Sequence, residues 1–305
     1  MRPRVPTVQN RSKTFLVSGH VVTAPPLEPG LYLVSTPIGN LGDITIRALE
    51  TLAAADTVAA EDTRVSRVLL DRYGIRQRPV AYHEHNAARA GPALIEAVAA
   101  GGSVALISDA GTPLISDPGS RLVREAVARG LPVVPVPGAS ALLAALTASG
   151  LDSETFLFAG FPPSKTGARA KRLADLAGID ATLVFYESPH RLAASLSAMA
   201  NALGGGREAV VARELTKRFE EHRRGNLAEL AEAYGEAGAP KGEIVVCVAP
   251  PAEAEPMQAV DVDAMLETLA GTMPASRAAA EAAKRTGMPK NELYARLVAL
   301  KESSR

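Results

Sequence analysis

The sequence predicts an α/β protein of two lobes followed by a small helical domain. Three observations carry this. Short β-rich runs alternate with helical stretches from Leu31 onward, a Pro-rich break falls at 250–256, and helical spacing resumes beyond it. A chain of 305 residues, 47% of them hydrophobic, suits about two domains with packed cores. The single cysteine, Cys247, excludes a disulfide framework and any multi-cysteine zinc or iron–sulfur site; inside a β-rich run it reads as an inert core residue.

Taken in order, residues 1–27 hold Arg2, Arg4, Arg11 and Lys13 and no acid, and Pro3, Pro6, Pro25 and Pro26 make them a flexible leader. Phe15-Leu16-Val17 is too short for the apolar core of a secretory signal. Apolar runs elsewhere are broken by Pro, Gly or Asp, so no membrane span is expected and the protein reads as cytoplasmic. Strands are expected at 31–35, 57–60, 103–108, 133–136, 156–159, 182–186, 208–212 and 243–248. Between them lie helical faces such as Ile46, Leu49, Leu52 and Ala53, or Leu94, Ile95, Val98 and Ala99. Strands separated by helices imply βαβ crossovers and a mainly parallel sheet. So many strands fit two lobes, 28–139 and 140–250, with the hinge at Pro137-Gly138 before a helix over 141–148. In the third domain, 260–305, Val262, Met265, Leu266 and Leu269 mark one helix and 274–285 a second. Gly287 stands at a C′ position, Pro289 opens a third helix, and Leu293, Leu297 and Leu300 mark its face. That arrangement is similar to a helix-turn-helix, with a plain helical cap as the alternative.

Lys+Arg and Asp+Glu are equal at 33 each, which excludes a uniformly basic nucleic-acid binder. The distribution says more than the sum. Residues 1–27, 160–172 and 277–305 each carry a net +4, so the remainder is acidic. Local basic patches on a neutral chain suit a polyanionic partner, or are solvated faces.

No G-x-G-x-x-G and no G-x-x-x-x-G-K-[ST] occurs, which removes the usual signatures of a dinucleotide fold and a P-loop. His83-Glu84-His85 places two ligands on one strand face without a third, so no metal site is expected. The informative segments follow strands, where parallel sheets collect ligands. They are 36–43, 109–119 and 137–140, rich in Gly and Pro, with Ser140 placed to cap the next helix. Glu61-Asp62-Thr63-Arg64 follows another strand; its acids could form an ion pair, hold ribose hydroxyls or act as a general base. Lys165, Arg169 and Arg172 fall close to one helical face, suited to phosphate contacts or to solvent.

Seven strings occur in order: STPIGNLGDIT at 35–45, AEDTR at 60–64, SDAGTPLISDPG at 108–119, VPGAS at 136–140, GFPPSK at 160–165, YESPHR at 186–191 and ARELTK at 212–217. Together they resemble the ribosomal RNA small subunit methyltransferase I family, of the tetrapyrrole methylase superfamily, over about residues 28–250. The C-terminal helices resemble that family's helix-turn-helix appendage. The resemblance implies two α/β lobes of the class III methyltransferase type with S-adenosyl-L-methionine in the cleft between them and no metal. It implies 2′-O-methylation of a cytidine in the decoding region of 16S rRNA, with the 30S subunit as partner and a homodimer as the usual assembly. By motif position, it places Ile38, Gly39, Ala110, Gly111, Thr112, Ile115, Ser140 and Ala141 at the cofactor, with Glu187, Leu215, Gly242 and Glu243 from the second lobe. Thr112 stands where tetrapyrrole enzymes carry Asp. Glu61, Asp62, His190 and Glu214 are candidates for the base, with the Glu61-Asp62 pair preferred. Arg64, Lys165, Arg169, Lys171 and Arg191 are candidate phosphate contacts. Rival readings are a tetrapyrrole or corrin C-methyltransferase of the same superfamily, and a non-catalytic RNA-binding assembly factor.

Overall fold

The computed structural model describes residues 13–252, 259–286 and 288–303. They fall into two units, one ending at Pro251 and one beginning at Ala252.

The first unit starts with an antiparallel hairpin of β1 (Thr14–Val17) and β2 (His20–Thr23). This corrects the expected flexible leader: only 1–12 lie outside the described residues. Ser18 and Gly19 both take positive φ, the two-residue turn that matches strand twist. Phe15 then points into the core, 1% exposed, and the Leu16 N–H donates to the Tyr73 carbonyl at 2.8 Å.

The first lobe is a parallel sheet of β3 (Gly30–Val34), β4 (Thr57–Ala60), β5 (Val80–Ala81), β6 (Ser103–Ile107) and β7 (Val133–Val136) in the order β5-β4-β6-β3-β7. Leu31 pairs with Val104 on one side and Val133 on the other. Every residue of β6 is buried, as in a strand covered on both faces, hence its unbroken apolar run. The crossovers carry α1 (Ile46–Ala54), α2 (Thr63–Arg72), α3 (Ala87–Ala99) and α4 (Ser120–Ala128). Thr45 starts α1 by accepting the Ala48 N–H at 3.1 Å.

The second lobe contains α5 (Ala141–Ser149), β8 (Phe156–Gly160), α6 (Thr166–Leu176), β9 (Thr182–Glu187), α7 (Leu192–Leu203), β10 (Glu208–Arg213), β11 (Glu221–Asn226), α8 (Leu227–Ala237) and β12 (Ile244–Val248). Its sheet order is β11-β10-β12-β9-β8, and only β8–β9 is parallel. The expectation of a mainly parallel sheet therefore fails here. A short loop rather than a crossover joins β10 to β11, and β12 inserts antiparallel between β10 and β9. The sequence Glu-His-Arg-Arg-Gly-Asn of β11 has no apolar alternation because it is a charged edge strand. One face of the sheet packs Val184, Val210 and Cys247 on Ala145 and Leu146 of α5. The other packs Phe185, Val211 and Val246 on Leu173, Leu196 and Met199. Each such large side chain contributes roughly 1.5–3 kcal/mol on burial. Burial pushes the Cys247 thiol up to about 12, which keeps it protonated and inert.

The second unit is α9 (Ala259–Thr272), α10 (Ala275–Thr286) and α11 (Lys290–Ser303). Val262 and Leu266 pack with Ala278, Ala279 and Ala282 and with Leu293 and Leu297. Arg296 Nε donates to Asp263 Oδ1 at 2.6 Å. Gly287, the expected C′ residue, and most of the expected linker at 250–256 lie outside the described residues.

Candidate active site

Because β3, β4, β6 and β7 run parallel, the segments that follow them gather at one edge of the sheet. Main chain ties them together. Thr36 N–H donates to the Gly111 carbonyl at 2.9 Å and Gly111 N–H returns the bond at 3.1 Å. The Thr112 hydroxyl lies 3.1 Å from Ser35 Oγ and donates to the Ala139 carbonyl at 3.3 Å, so Thr112 cross-links three of the segments. Gly111 has φ +82, and a Cβ there would stand 3.2 Å from Ile38 Cγ2. Leu114 and Ser116 also take positive φ, strain that the sheet-anchored loop holds in place.

Opposite stand the end of β9, the loop 214–217 and the start of β12. The two walls enclose a cavity of about 470 Å³, within the range of small-ligand sites. Ile38, Ala110, Gly111, Thr112, Ile115, Ser140 and Ala141 line it from one side, and Glu187, Leu215, Gly242 and Glu243 from the other. Gly39 does not; it lines an adjoining compartment of about 330 Å³ with Val65, Val68 and Leu69 of α2. Ser140 occupies the N-cap position of α5, but its hydroxyl makes no capping bond. The Glu187 side chain is fully enclosed: it accepts from Ser195 Oγ and from the Ser188 N–H, the latter at 2.8 Å. Glu187 thus shapes the wall rather than presenting a carboxylate.

The Glu61-Asp62 pair separates. Glu61 lines the cavity, and burial, with the charges of Asp117 and Asp109, pushes its carboxyl above the usual range. Burial, then Asp109, likewise raises Asp117. Asp62 instead caps α2, accepting the Arg64 N–H at 2.8 Å and pairing with the Arg64 guanidinium at 2.7 Å. Those bonds hold it at about 2 and keep its carboxylate on the helix end, and it does not line the cavity. The Asp62 half of the preferred base pair is therefore corrected to a capping residue. Its N–H donates to Asp109 Oδ1 at 2.9 Å, fixing that neighbour.

Of the other candidate bases, Glu214 is held below the usual range by its hydrogen bond to Lys217 Nζ at 2.8 Å. Lys217 also reaches Glu243 at 3.1 Å. His190 sits in the turn after β9, outside the cavity lining. Among the candidate phosphate contacts, Arg64 is 89% exposed while paired with Asp62, and Lys171 is exposed and paired with Asp175. Lys165 is exposed at the start of α6. Arg191 donates to the Pro162 carbonyl and lies 3.5 Å from Glu187, which ties it into the wall. Arg169 is buried, so it is not on the expected solvent face: the turn of α6 that carries Leu173 and Leu176 carries it inward too.

Several lining residues were not singled out in the sequence. Asp109 and Asp117 bracket one loop, and two acids within one Gly/Pro-rich strand-end segment were the available signal. Tyr186 packs edge-on to Phe158 at 4.8 Å and to Phe161 at 5.6 Å, making an aromatic wall. With Glu61, Asp109, Asp117 and Glu243, the cavity has apolar walls and an acidic rim, a setting for a compact cation. Among the described residues no group of three or more His, Cys, Asp or Glu could hold a metal ion, and no helix is long and apolar enough to cross a membrane.

The tetrapyrrole (corrin/porphyrin) methylase family matches residues 30–231, and the RsmI C-terminal HTH domain family matches 256–301. A "ribosomal RNA small subunit methyltransferase I" of Mesorhizobium japonicum is 66% identical over 93% of this chain and 96% of its own. One of Pseudomonas aeruginosa is 49% identical over 87% and 95%. Among solved structures, a cobalt precorrin-4 methyltransferase superposes with TM-score 0.56 at 18% identity, covering 72% of this chain and 94% of that one. A Thermus thermophilus uroporphyrin-III C-methyl transferase complexed with S-adenyl homocysteine gives 0.50 at 23% identity, covering 72% and 96%. Such distant structures share the fold.

Proposed function

The chain belongs to the tetrapyrrole methylase family, as one of its ribosomal RNA small subunit methyltransferase I members, and we propose that it methylates a cytidine 2′-hydroxyl in the decoding region of 16S rRNA. Its methyl donor is S-adenosyl-L-methionine, its substrate is the 30S subunit, and it acts in the cytoplasm as a homodimer. The observation that carries the reading is that strand-end motifs of both lobes line one shared cavity.

The cavity fits the donor. Its volume, its main-chain and small-residue floor around Ala110 and Gly111, and its carboxylate rim suit a ligand bearing a sulfonium and an ammonium. When bound, the donor supplies an electrophilic methyl that needs no metal. The protein's part is placement and proton removal. The loops at Gly111, Ser140 and Leu215 hold the two reactants in line, an effect worth roughly 7–11 kcal/mol in well-oriented systems. Glu61, made more basic by burial and by Asp117 and Asp109, takes the proton of the ribose 2′-hydroxyl, adding about 10²–10⁴-fold. Arg64, Lys165 and Lys171 meet phosphates from the exposed surface, and Arg191 holds the wall.

The test is transfer of labelled methyl from S-adenosyl-L-methionine to 30S subunits from cells lacking the enzyme, beside an absorbance titration with a conjugated tetrapyrrole such as uroporphyrin. Label in 16S rRNA and no tetrapyrrole binding is the expected result. Tetrapyrrole methylation without rRNA labelling would replace this reading with the corrin/porphyrin one.

A further inference from the structure

The donor cavity does not end at its own walls. It shares Ile38, Asp109, Ala110 and Glu243 with the mostly apolar compartment formed against α2, where Val65 and Val68 are 45% and 62% exposed. That compartment in turn shares Gly39, Leu41 and Lys217 with an open groove between the 39–42 loop and residues 216–218, with Arg72 on its rim. A carboxylate-rimmed cavity, an apolar chamber and a groove with cations at its mouth therefore adjoin one another, with Lys217 in the wall between the last two.

The two outer cations are uncommitted. Among the described residues, neither Arg72 nor Arg218 forms a hydrogen bond or ion pair, whereas Lys217 is held by Glu214 and Glu243. The nearby Glu220 is turned to its own loop, accepting the Thr216 N–H at 2.6 Å. Phe219 is 65% exposed, and the Arg218 guanidinium lies 5.5 Å from its ring centre. Phe219 stands on the strand-connecting loop with most of its ring open to solvent. Beside unpaired arginines, it has the makings of a site for single-stranded nucleic acid: cations along the backbone and an aromatic face for a base.

We infer that this groove receives the RNA strand next to the target nucleotide, with Arg72 and Arg218 on its phosphates and Phe219, outside the groove in the neighbouring recess with Pro240 and Lys241, stacked on a flanking base. The inference rests on the rRNA-methylating reading and adds the path by which the strand reaches the chamber. The target nucleoside then occupies the apolar compartment, with its ribose toward Glu61 and its neighbour's phosphates at the groove.

The test uses the full-length protein and a fluorescein-labelled single-stranded decamer of cytidylate RNA, titrated across a salt series, with 30S methyl transfer and calorimetric S-adenosyl-L-methionine affinity measured alongside. Arg72→Gln/Arg218→Gln is expected to bind the decamer at least about tenfold more weakly, and its salt slope to fall by about 1.4, two single-strand phosphate contacts. Phe219→Ala is expected to lose about 5- to 150-fold in affinity, with Phe219→Tyr restoring it. Methyl-donor affinity is expected to stay at the wild-type value in all three. Unchanged decamer affinity and slope in the arginine pair and in Phe219→Ala, with the wild type binding and methylating, would overturn the groove alone. A wild type that binds the donor but neither binds the decamer nor labels 30S subunits would overturn the functional reading, and the groove with it.

Discussion

The Asn40 N–H donates to Thr216 Oγ1 at 3.2 Å, joining the loop after β3 to the loop after β10. Beside it Lys217 lies across Gly39, where an added Cβ would stand 2.5 Å from Lys217 Cγ. The two contacts clasp the lobes where the apolar compartment meets the outer groove. Gly39→Ala is therefore expected to displace Lys217 from Glu214 and Glu243 and to lower methyl transfer by about tenfold or more, since small misplacements near a reacting centre are costly. Lys217→Ala in the same chain is expected to relieve the collision, so that the double variant loses less than the two single losses combined. Steady-state kinetics on the four proteins of the cycle checks this.

Glu61→Gln is expected to reduce kcat by about 10²–10⁴-fold while leaving the fold intact. Because the folded carboxyl is raised above its ordinary value, the acid limb of the wild-type pH–rate profile lies above the usual carboxylate range, and the variant lacks that limb. The sign for stability is opposite to that for activity. A raised acid contributes stability below its unfolded value and loses that contribution as pH rises through the folded one. Glu61→Gln is thus expected to melt higher than wild type at pH 8, the difference closing toward pH 4.

Asp62 gives the converse pattern. Its carboxylate is held at about 2 by Arg64, so its contribution is present above the usual carboxylate value and is lost as pH falls through about 2. Asp62→Ala is expected to lower Tm at pH 7 by about 2–4 °C, a deficit that shrinks in acid. Asp62→Asn keeps a good cap and is expected to retain near-normal methyl transfer, which separates it from Glu61. A loss in Asp62→Asn matching that of Glu61→Gln would return Asp62 to the chemistry.

Ser195 donates to the enclosed Glu187 carboxylate from α7, one turn behind the cavity wall. Ser195→Ala leaves that buried charge one donor short and is expected to cost about 1.5–3 kcal/mol in urea unfolding. Donor affinity is expected to weaken with it, since Glu187 sets the position of Ser188 and Pro189 in the lining.

Much of this was legible in the sequence where local chemistry and fold agree. The buried strands at Ser103–Ile107 and Ile244–Val248 are near-continuous apolar runs, and the Gly/Pro segments that follow parallel strands have few conformations open to them. What was not legible depends on partners distant in sequence. Antiparallel insertion of β12 between β9 and β10 leaves no local mark, and β11 hides as a run of charges because its neighbour on one side is water. Arg169 reads as solvated from its charge, yet the phase of α6 turns it inward with Leu173. Glu61 and Asp62 are adjacent in sequence and alike in chemistry. Only the start of α2 directly after them sends one to the cavity and the other to the helix cap.

The most direct measurement is an alkaline hydrolysis ladder of 16S rRNA from enzyme-treated 30S subunits. A methylated 2′-oxygen cannot attack the adjoining phosphodiester, so the product is expected to show one missing rung, at a cytidine of the decoding region. That gap is expected to be absent after treatment with Glu61→Gln. An unbroken ladder with label on a base, or a gap at a nucleotide other than cytidine, would contradict the proposed reaction.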